Sequence, residues 1–438
     1  MTLLSKFKND PLFTKIIRSS GSLFSNNTLA LGLSVVQGIM ATRLLGPAGF
    51  GLIGVVMAFA STVNSVFSFR MGELVVRYGG EYLNRQEKEK ASALLKTAST
   101  TEAAVSLLAF LVVFATAQLA ETYLAKTPDI AWMFTIFALN LLANFSTETS
   151  TGILQITDKI KLQGTVNLIQ AVVTTLIIAG AFFFGGGITI VLVAYLIGKS
   201  ILGLGLFVLA QIQLHQKLGS GWWRTPFSKL TARREIFRFA FSSNISATII
   251  KLFRESELIW VGFFLDTTAV GYYRVAYTIT HFLAIPADPL IATTFPEINR
   301  LAVEKAWGKL KSFLKKITAF SFAYNIAIGA GLILFGHWVI RIYSGADYLA
   351  AYPALVALTI GLVFNYILFW NRPLLLALGL PEFPVYVTLA AGIIKLAFSF
   401  WLVPVYGVAA AGGLLSFYYV ASVGVMVLRG LKEIENRE

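Results

Sequence analysis

Twelve apolar runs of about twenty residues each, separated by short polar connectors, leave this chain few ways to fold. They cover residues 23–42, 50–69, 97–119, 130–150, 162–184, 188–209, 239–265, 272–295, 317–340, 352–370, 384–403 and 407–427. A helix rises about 1.5 Å per residue, so each run can cross a hydrocarbon core about 30 Å thick. Inside that core every backbone polar group needs an internal partner, which only helices and closed barrels supply. The runs are too long and too continuous for barrel strands. The expected fold class is an all-α polytopic membrane protein with twelve transmembrane helices. Composition agrees, with 56% hydrophobic and only 13% charged residues, where soluble proteins carry about 25% charged.

Lysine and arginine set the orientation. Of 36 in all, 28 fall in one set of connectors and in the two terminal segments, three (Arg43, Lys126, Arg341) on the opposite side, and five inside runs. Positive charge marks the cytoplasmic side, so both termini are expected there. The same distribution removes nucleic acid as the partner for a net charge of +14, because the charge lines connectors and forms no continuous patch. Residues 1–22 are basic and amphipathic, lack a cleavage site, and read as a segment lying on the membrane surface. With no cysteine, thiol chemistry and cysteine-based metal sites are excluded, and no cofactor is expected.

The chain repeats itself. "LGPAGFG" from Leu45 and "LDTTAVG" from Leu265 are 220 residues apart, as are the basic connectors before Lys96 and Lys316 and the turns ending at Gly187 and Gly407. A duplicated six-helix unit follows, with bundles at 23–210 and 239–428, a basic connector at 211–238 and a tail at 429–438. An even number of spans per unit points both halves the same way, related by an axis along the membrane normal. Transporters so built bind substrate between their halves.

Charges inside the runs mark the candidate site, since a lysine or arginine at a helix centre costs about 2.5–3.5 kcal/mol on insertion scales. "KLFRESE" places Lys251, Arg254, Glu255 and Glu257 within two turns. Pairing of Lys251 with Glu255 and of Arg254 with Glu257 is geometrically allowed, yet the matching stretch of the first repeat carries no charge. Arg274, His281 and Asp288 follow at intervals of seven, as if on one helix face, with Pro286 and Pro289 bending that helix. Lys199 and Lys395 complete the set. Five cations against Glu255, Glu257 and Asp288 favour an anionic ligand. "GKS" at Gly198–Ser200 lacks the upstream glycine of a phosphate-binding loop, having Val193 in its place. No catalytic triad or metal cluster is visible, and the three histidines lie far apart in sequence.

"ATRLLGPAGFGLIGVV" from Ala41, "GILQITDKIKLQG" from Gly152, "TTFPEINRLA" from Thr293, "GADYLAAYPALVALTIG" from Gly345 and "LVPVYGVAAAGG" from Leu402 together resemble the polysaccharide-precursor flippases of the multidrug/oligosaccharidyl-lipid/polysaccharide exporter superfamily. The resemblance covers nearly the whole chain. It implies two pseudo-symmetric six-helix bundles around a central cavity, and a polyprenyl-diphosphate-linked oligosaccharide moved between membrane leaflets for cell-surface polysaccharide assembly. Partners on that reading are the lipid-linked substrate, membrane lipids, a polysaccharide polymerase and glycosyltransferases. Arg254 and Lys251, with Arg274, Lys199 and Lys395, are then the expected substrate contacts. Glu255 and Glu257 pair with the cations, and His281 with Asp288 is the expected coupling pair. Two other readings compete. A related drug or cation antiporter needs cavity carboxylates with little buried positive charge. A membrane-embedded polymerase or ligase needs a large outer loop, which this chain lacks.

Overall fold

The computed structural model describes residues 11–68, 70–230, 236, 248, 252–253, 256–284 and 287–438, with side chains from residue 26 onward except at 285–289 and 292–293. Among the described residues the regular structure is helical throughout. In the first half of the chain it comprises α1 (Pro11–Phe67), α2 (Met71–Leu74), α3 (Gly80–Asn84), α4 (Lys88–Ala120), α5 (Ala131–Ala143), α6 (Thr147–Ile156), α7 (Lys161–Phe184) and α8 (Ile188–Leu218). In the second it comprises α9 (Glu257–Phe264), α10 (Thr267–Thr280), α11 (Ala287–Val303), α12 (Trp307–Ser344), α13 (Tyr352–Ile367), α14 (Asn371–Ala377) and α15 (Phe383–Arg437).

Seven helical stretches among the described residues are long and apolar enough to cross a membrane. That number accommodates twelve apolar runs for a simple reason. α1 and α15 each contain two runs, joined at Gly46 (φ 64°) and Gly407 (φ 62°). Both glycines hold the left-handed backbone that other residues adopt only with strain, so each long helix turns there between two spans. Run four is divided between α5 and α6, and run eight between α10 and α11. Run seven lies mostly outside the described residues, with α9 as its end. Large apolar side chains such as Phe183, Phe184, Leu334 and Trp401 point outward, as expected where the surrounding solvent is lipid. The fold is all-α and polytopic.

The 220-residue repeat is visible element by element. Shifted by that interval, α4 coincides with α12, α5 with α13, and α7 and α8 with the two arms of α15. Equivalent turns are built from different parts. α10 starts behind Asp266, whose carboxylate accepts the Ala269 N–H (2.7 Å), whereas its counterpart starts behind Gly46 with Pro47 in its first turn. These two turns also pack on each other through equivalent residues. A methyl group added to Gly51 would sit 1.7 Å from the Thr267 carbonyl oxygen, and one added to Gly271 would sit 2.1 Å from that of Pro47. Gly51 and Gly271 are counterparts, as are Pro47 and Thr267, so the contact is reciprocal in the way a local two-fold relation produces.

Packing divides the chain into two compact units. The first takes Met1–Leu44, Phe59–Ala120 and Pro128–Thr248; the second takes Leu45–Ala58, Glu121–Thr127 and Ile249–Glu438. In the first, Leu74, Val75, Leu94 and Leu95 pack with Ile153, Leu214 and Trp222. In the second, Ile298, Leu310, Leu314, Trp370, Leu374 and Ile434 join α11, α12, α14 and the end of α15. This second cluster holds the break between α13 and α14 that shapes the site below.

Candidate functional site

α13 stops at Ile367 and α14 begins at Asn371, leaving carbonyl groups without helical partners. The Leu368 carbonyl in this gap accepts both the Asn371 backbone N–H, at 3.0 Å, and the Asn371 side-chain amide, at 2.7 Å. The Trp370 indole N–H donates to the Thr318 hydroxyl at 2.8 Å, anchoring the break to α12. So held, the break presents Asn365, Asn371 and Arg372 to a cavity of about 550 Å³ in the second unit. His281 and Ala284 close one side of it, Ile291 and Phe295 of α11 another, and Thr388, Tyr418, Tyr419 and Ser422 of α15 the rest. Among the described lining residues there is an arginine and a histidine but no carboxylate.

Behind the pocket wall lies a buried ion pair. The Lys395 ammonium contacts the Glu257 carboxylate and also donates to the Phe253 carbonyl at 2.9 Å. Lys395 is 2% exposed and Glu257 6%. The Tyr273 hydroxyl donates to the other Glu257 oxygen at 3.4 Å. From there three rings run to the cavity: Tyr273 stacks on Tyr277 (6.4 Å) and Tyr277 on His281 (6.0 Å). On the other side the Lys395 ammonium lies 5.8 Å from the centre of the Tyr418 ring, which packs edge-on against Tyr419. The pair therefore stiffens two walls of the pocket without entering it.

Glu257 takes Lys395, 138 residues away. Lys395 is sealed in that pair and does not line the cavity. Arg274 is engaged elsewhere in the second unit. It donates to the Phe50 carbonyl at 2.9 Å, and its guanidinium carbon lies 4.0 Å from the centre of the Phe50 ring. Lys199 is exposed on α8 of the first unit. Lys251, Arg254 and Glu255 lie outside the described residues, and so does the side chain of Asp288, whose backbone is in α11. His281 does line the cavity. At His281–Ala284 the α-helix gives way to a 3-10 turn before α11 begins.

Some polar residues escaped the sequence reading. Arg372 stands beside Pro373 in a short connector and looked like an ordinary surface charge. Its signal was the run "NRP" directly after an apolar span, the composition of a helix break. Glu102, inside run three, was also passed over. Its carboxylate accepts the N–H groups of Glu148 and Thr149, both at 2.9 Å, in the first turn of α6. Glu148 in turn accepts the Ser68 hydroxyl at 3.1 Å.

The fold is shared with known transporters. The fold matches the inward-facing structure of a multidrug resistance MATE family transporter of the MOP superfamily, with a TM-score of 0.76 at 13% identity over 92% of this chain and 94% of that one. It matches the outward-facing structure of such a transporter with a TM-score of 0.61, 15% identity, and 100% and 99% of the two chains. A MOP superfamily transporter from Pyrococcus furiosus, described by the reverse polarity of its binding pocket, gives a TM-score of 0.63 at 14% identity over 100% and 99%. In sequence, the chain is 22% identical over 347 residues to the inner membrane protein YghQ of Escherichia coli (strain K12), spanning 78% of this chain and 96% of that protein. The family model described as "Polysaccharide biosynthesis protein" matches residues 16–302. The chain therefore belongs to the polysaccharide biosynthesis protein family.

Proposed function

We propose that this protein is a flippase that carries polyprenyl-diphosphate-linked oligosaccharide across a bacterial cytoplasmic membrane by alternating access. The observation that carries the reading is the polarity of the second unit's pocket. Its described lining offers Arg372, His281, amides and hydroxyls, and no carboxylate. The Glu257 carboxylate, behind the pocket wall, is neutralised by Lys395. Such a lining suits a phosphorylated glycan, and its described residues offer a cationic drug no carboxylate to pair with. On this reading the two six-helix halves, 23–210 and 239–428, move against each other around a central cavity, and both termini are cytoplasmic. Lys251 and Arg254 supply further cations to the substrate. The likeness to an inner membrane protein supports the location, and the family description supports a place beside a polysaccharide polymerase and glycosyltransferases.

The test is a deletion strain. Loss of surface polysaccharide, with lipid-linked oligosaccharide accumulating on the inner leaflet and restored by the wild-type gene, supports the proposal. Intact surface polysaccharide together with lost efflux of a cationic dye supports the related drug or cation antiporter and ends the flippase reading.

A further inference from the structure

We infer that the two turns following α8 form a docking site for the headgroups of anionic phospholipid, seating the first unit on one face of the membrane. The site is independent of what the protein transports. α8 ends at Leu218, where Gly219 takes a φ of 91° that other residues adopt only with strain. Two 3-10 turns follow, at Trp222–Arg224 and Phe227–Lys229. Two adjacent tryptophans then go opposite ways. Trp222 is 9% exposed and packs with Leu94, Leu95 and Leu214 in the core of the unit. Trp223 is 54% exposed, and Phe227 in the next turn is 45% exposed. The turns are pinned to α4. The Lys96 ammonium donates to the Thr225 carbonyl at 3.2 Å and lies 4.4 Å from the centre of the Phe227 ring. Lys229 pairs with Glu89 at 2.8 Å, and Leu230 is buried just beyond it. The exposure of the two rings is therefore fixed by the packing around them.

Charge decides what those rings meet. Residues 211–230 contain His215, Lys217, Arg224 and Lys229 and no acidic residue. In the basic connectors before Lys96 and Lys316, acids answer the bases within one turn, as in Arg85 with Glu81, Lys90 with Glu87, and Arg300 with Glu297 and Glu304. The turns after α8 lack that local compensation, so their positive field reaches outward. The Arg224 guanidinium lies 5.0 Å from the centre of the Trp223 ring, which places a cation beside an exposed indole. An indole settles where hydrocarbon meets water, with its ring toward the lipid and its N–H toward the headgroups. A cation at that depth faces lipid phosphate. α8 supplies the approach. Leu204, Val208 and Ile212 are exposed at intervals of four, a lipid-facing stripe, and exposed His215, Gln216 and Lys217 succeed them before the helix ends. The order along the chain is apolar stripe, basic helix end, then aromatic and basic turns, as required of a backbone leaving hydrocarbon for headgroups.

The experiment uses the full chain in nanodiscs of phosphatidylcholine, with and without phosphatidylglycerol. The fluorescence of Trp223 is taken as the difference between wild type and Trp223→Phe. A nitroxide on the lipid headgroup is expected to quench it more than a nitroxide deep in the acyl chain, and more than iodide in solution. Quenching by iodide without quenching by the headgroup label overturns the site and leaves Trp223 in water, open to a soluble partner. Stronger quenching by the deep label overturns the headgroup depth. The second arm titrates phosphatidylglycerol into detergent-solubilised protein and reads the half-saturating concentration for the rise in melting temperature. Each Lys or Arg near an anionic surface contributes about fivefold to binding, so Lys217→Gln/Arg224→Gln should weaken the response about twenty- to thirty-fold. Melting without added lipid establishes that the double variant is folded, and the quenching arm does not use it. An equal response of wild type to phosphatidylcholine and phosphatidylglycerol, or an unchanged response in the double variant, overturns recognition of the anionic headgroup.

Discussion

Replacing Glu257 by glutamine tests whether the buried pair is structural. In the wild type the Lys395 ammonium has a carboxylate and the Phe253 carbonyl as partners and is almost sealed from solvent. Glu257→Gln keeps the shape and removes the compensating charge. Breaking a buried ion pair from one side costs about 3–5 kcal/mol, because the remaining charge stays desolvated. That is a large share of the 5–15 kcal/mol typical of a folded protein. The folded yield and detergent melting temperature of Glu257→Gln should therefore fall sharply, and those of Lys395→Met should fall alongside. The double variant Glu257→Leu/Lys395→Met buries no charge and should regain most of the loss. Fluorescence-detected size exclusion with a melting series reads all three. A Glu257→Gln protein with wild-type yield and melting temperature would refute the pairing. A stable double variant that still flips substrate makes the pair structural, and a stable one that does not returns Lys395 or Glu257 to the transport mechanism.

The close turn contact makes a graded prediction. Ordinary contact begins near 3.4 Å, so Gly51→Ala, with its methyl 1.7 Å from the Thr267 carbonyl, must push backbone aside. It should cost at least the usual overpacking penalty of about 1–3 kcal/mol in thermal melting. Gly54→Ala meets the flexible Arg274 side chain at 3.0 Å and should cost less, and Gly413→Ala, in open space, should be neutral. Glu102→Leu removes the acceptor for two N–H groups at the start of α6 and should destabilise by about 0.5–2 kcal/mol, with Glu102→Gln losing about half as much; equal melting of both variants with wild type would dismiss this cap. Because the chain has no cysteine, single cysteines report topology without background. Cysteines at Ala48, Thr127 and Thr267 should label from outside intact cells, and ones at Glu89 and Ala306 only after permeabilisation; external labelling at Glu89 would invert the orientation.

The sequence by itself determined whatever depends on neighbours along the chain. Run length and hydropathy dictated spanning helices, since in lipid a contiguous backbone has few other ways to satisfy its polar groups. Gly46 and Gly407 marked turns inside long helices because a left-handed residue is a local requirement. The 220-residue offset showed the duplication because each half repeats the same local instructions. Partner choice was a different matter. Nothing near Glu257 announced Lys395, and the nearby Arg254 was the closer prospect on helical spacing. Arg274 looked like a cavity charge, and nothing near it in sequence announced the Phe50 carbonyl, 224 residues earlier, to which it donates. Arg372 looked like a surface connector until the break between α13 and α14 turned it into a pocket. In each case the deciding quantity is the free energy of a charge among groups brought together by helix packing. That environment is assembled from segments far apart along the chain, and only the tertiary structure specifies it.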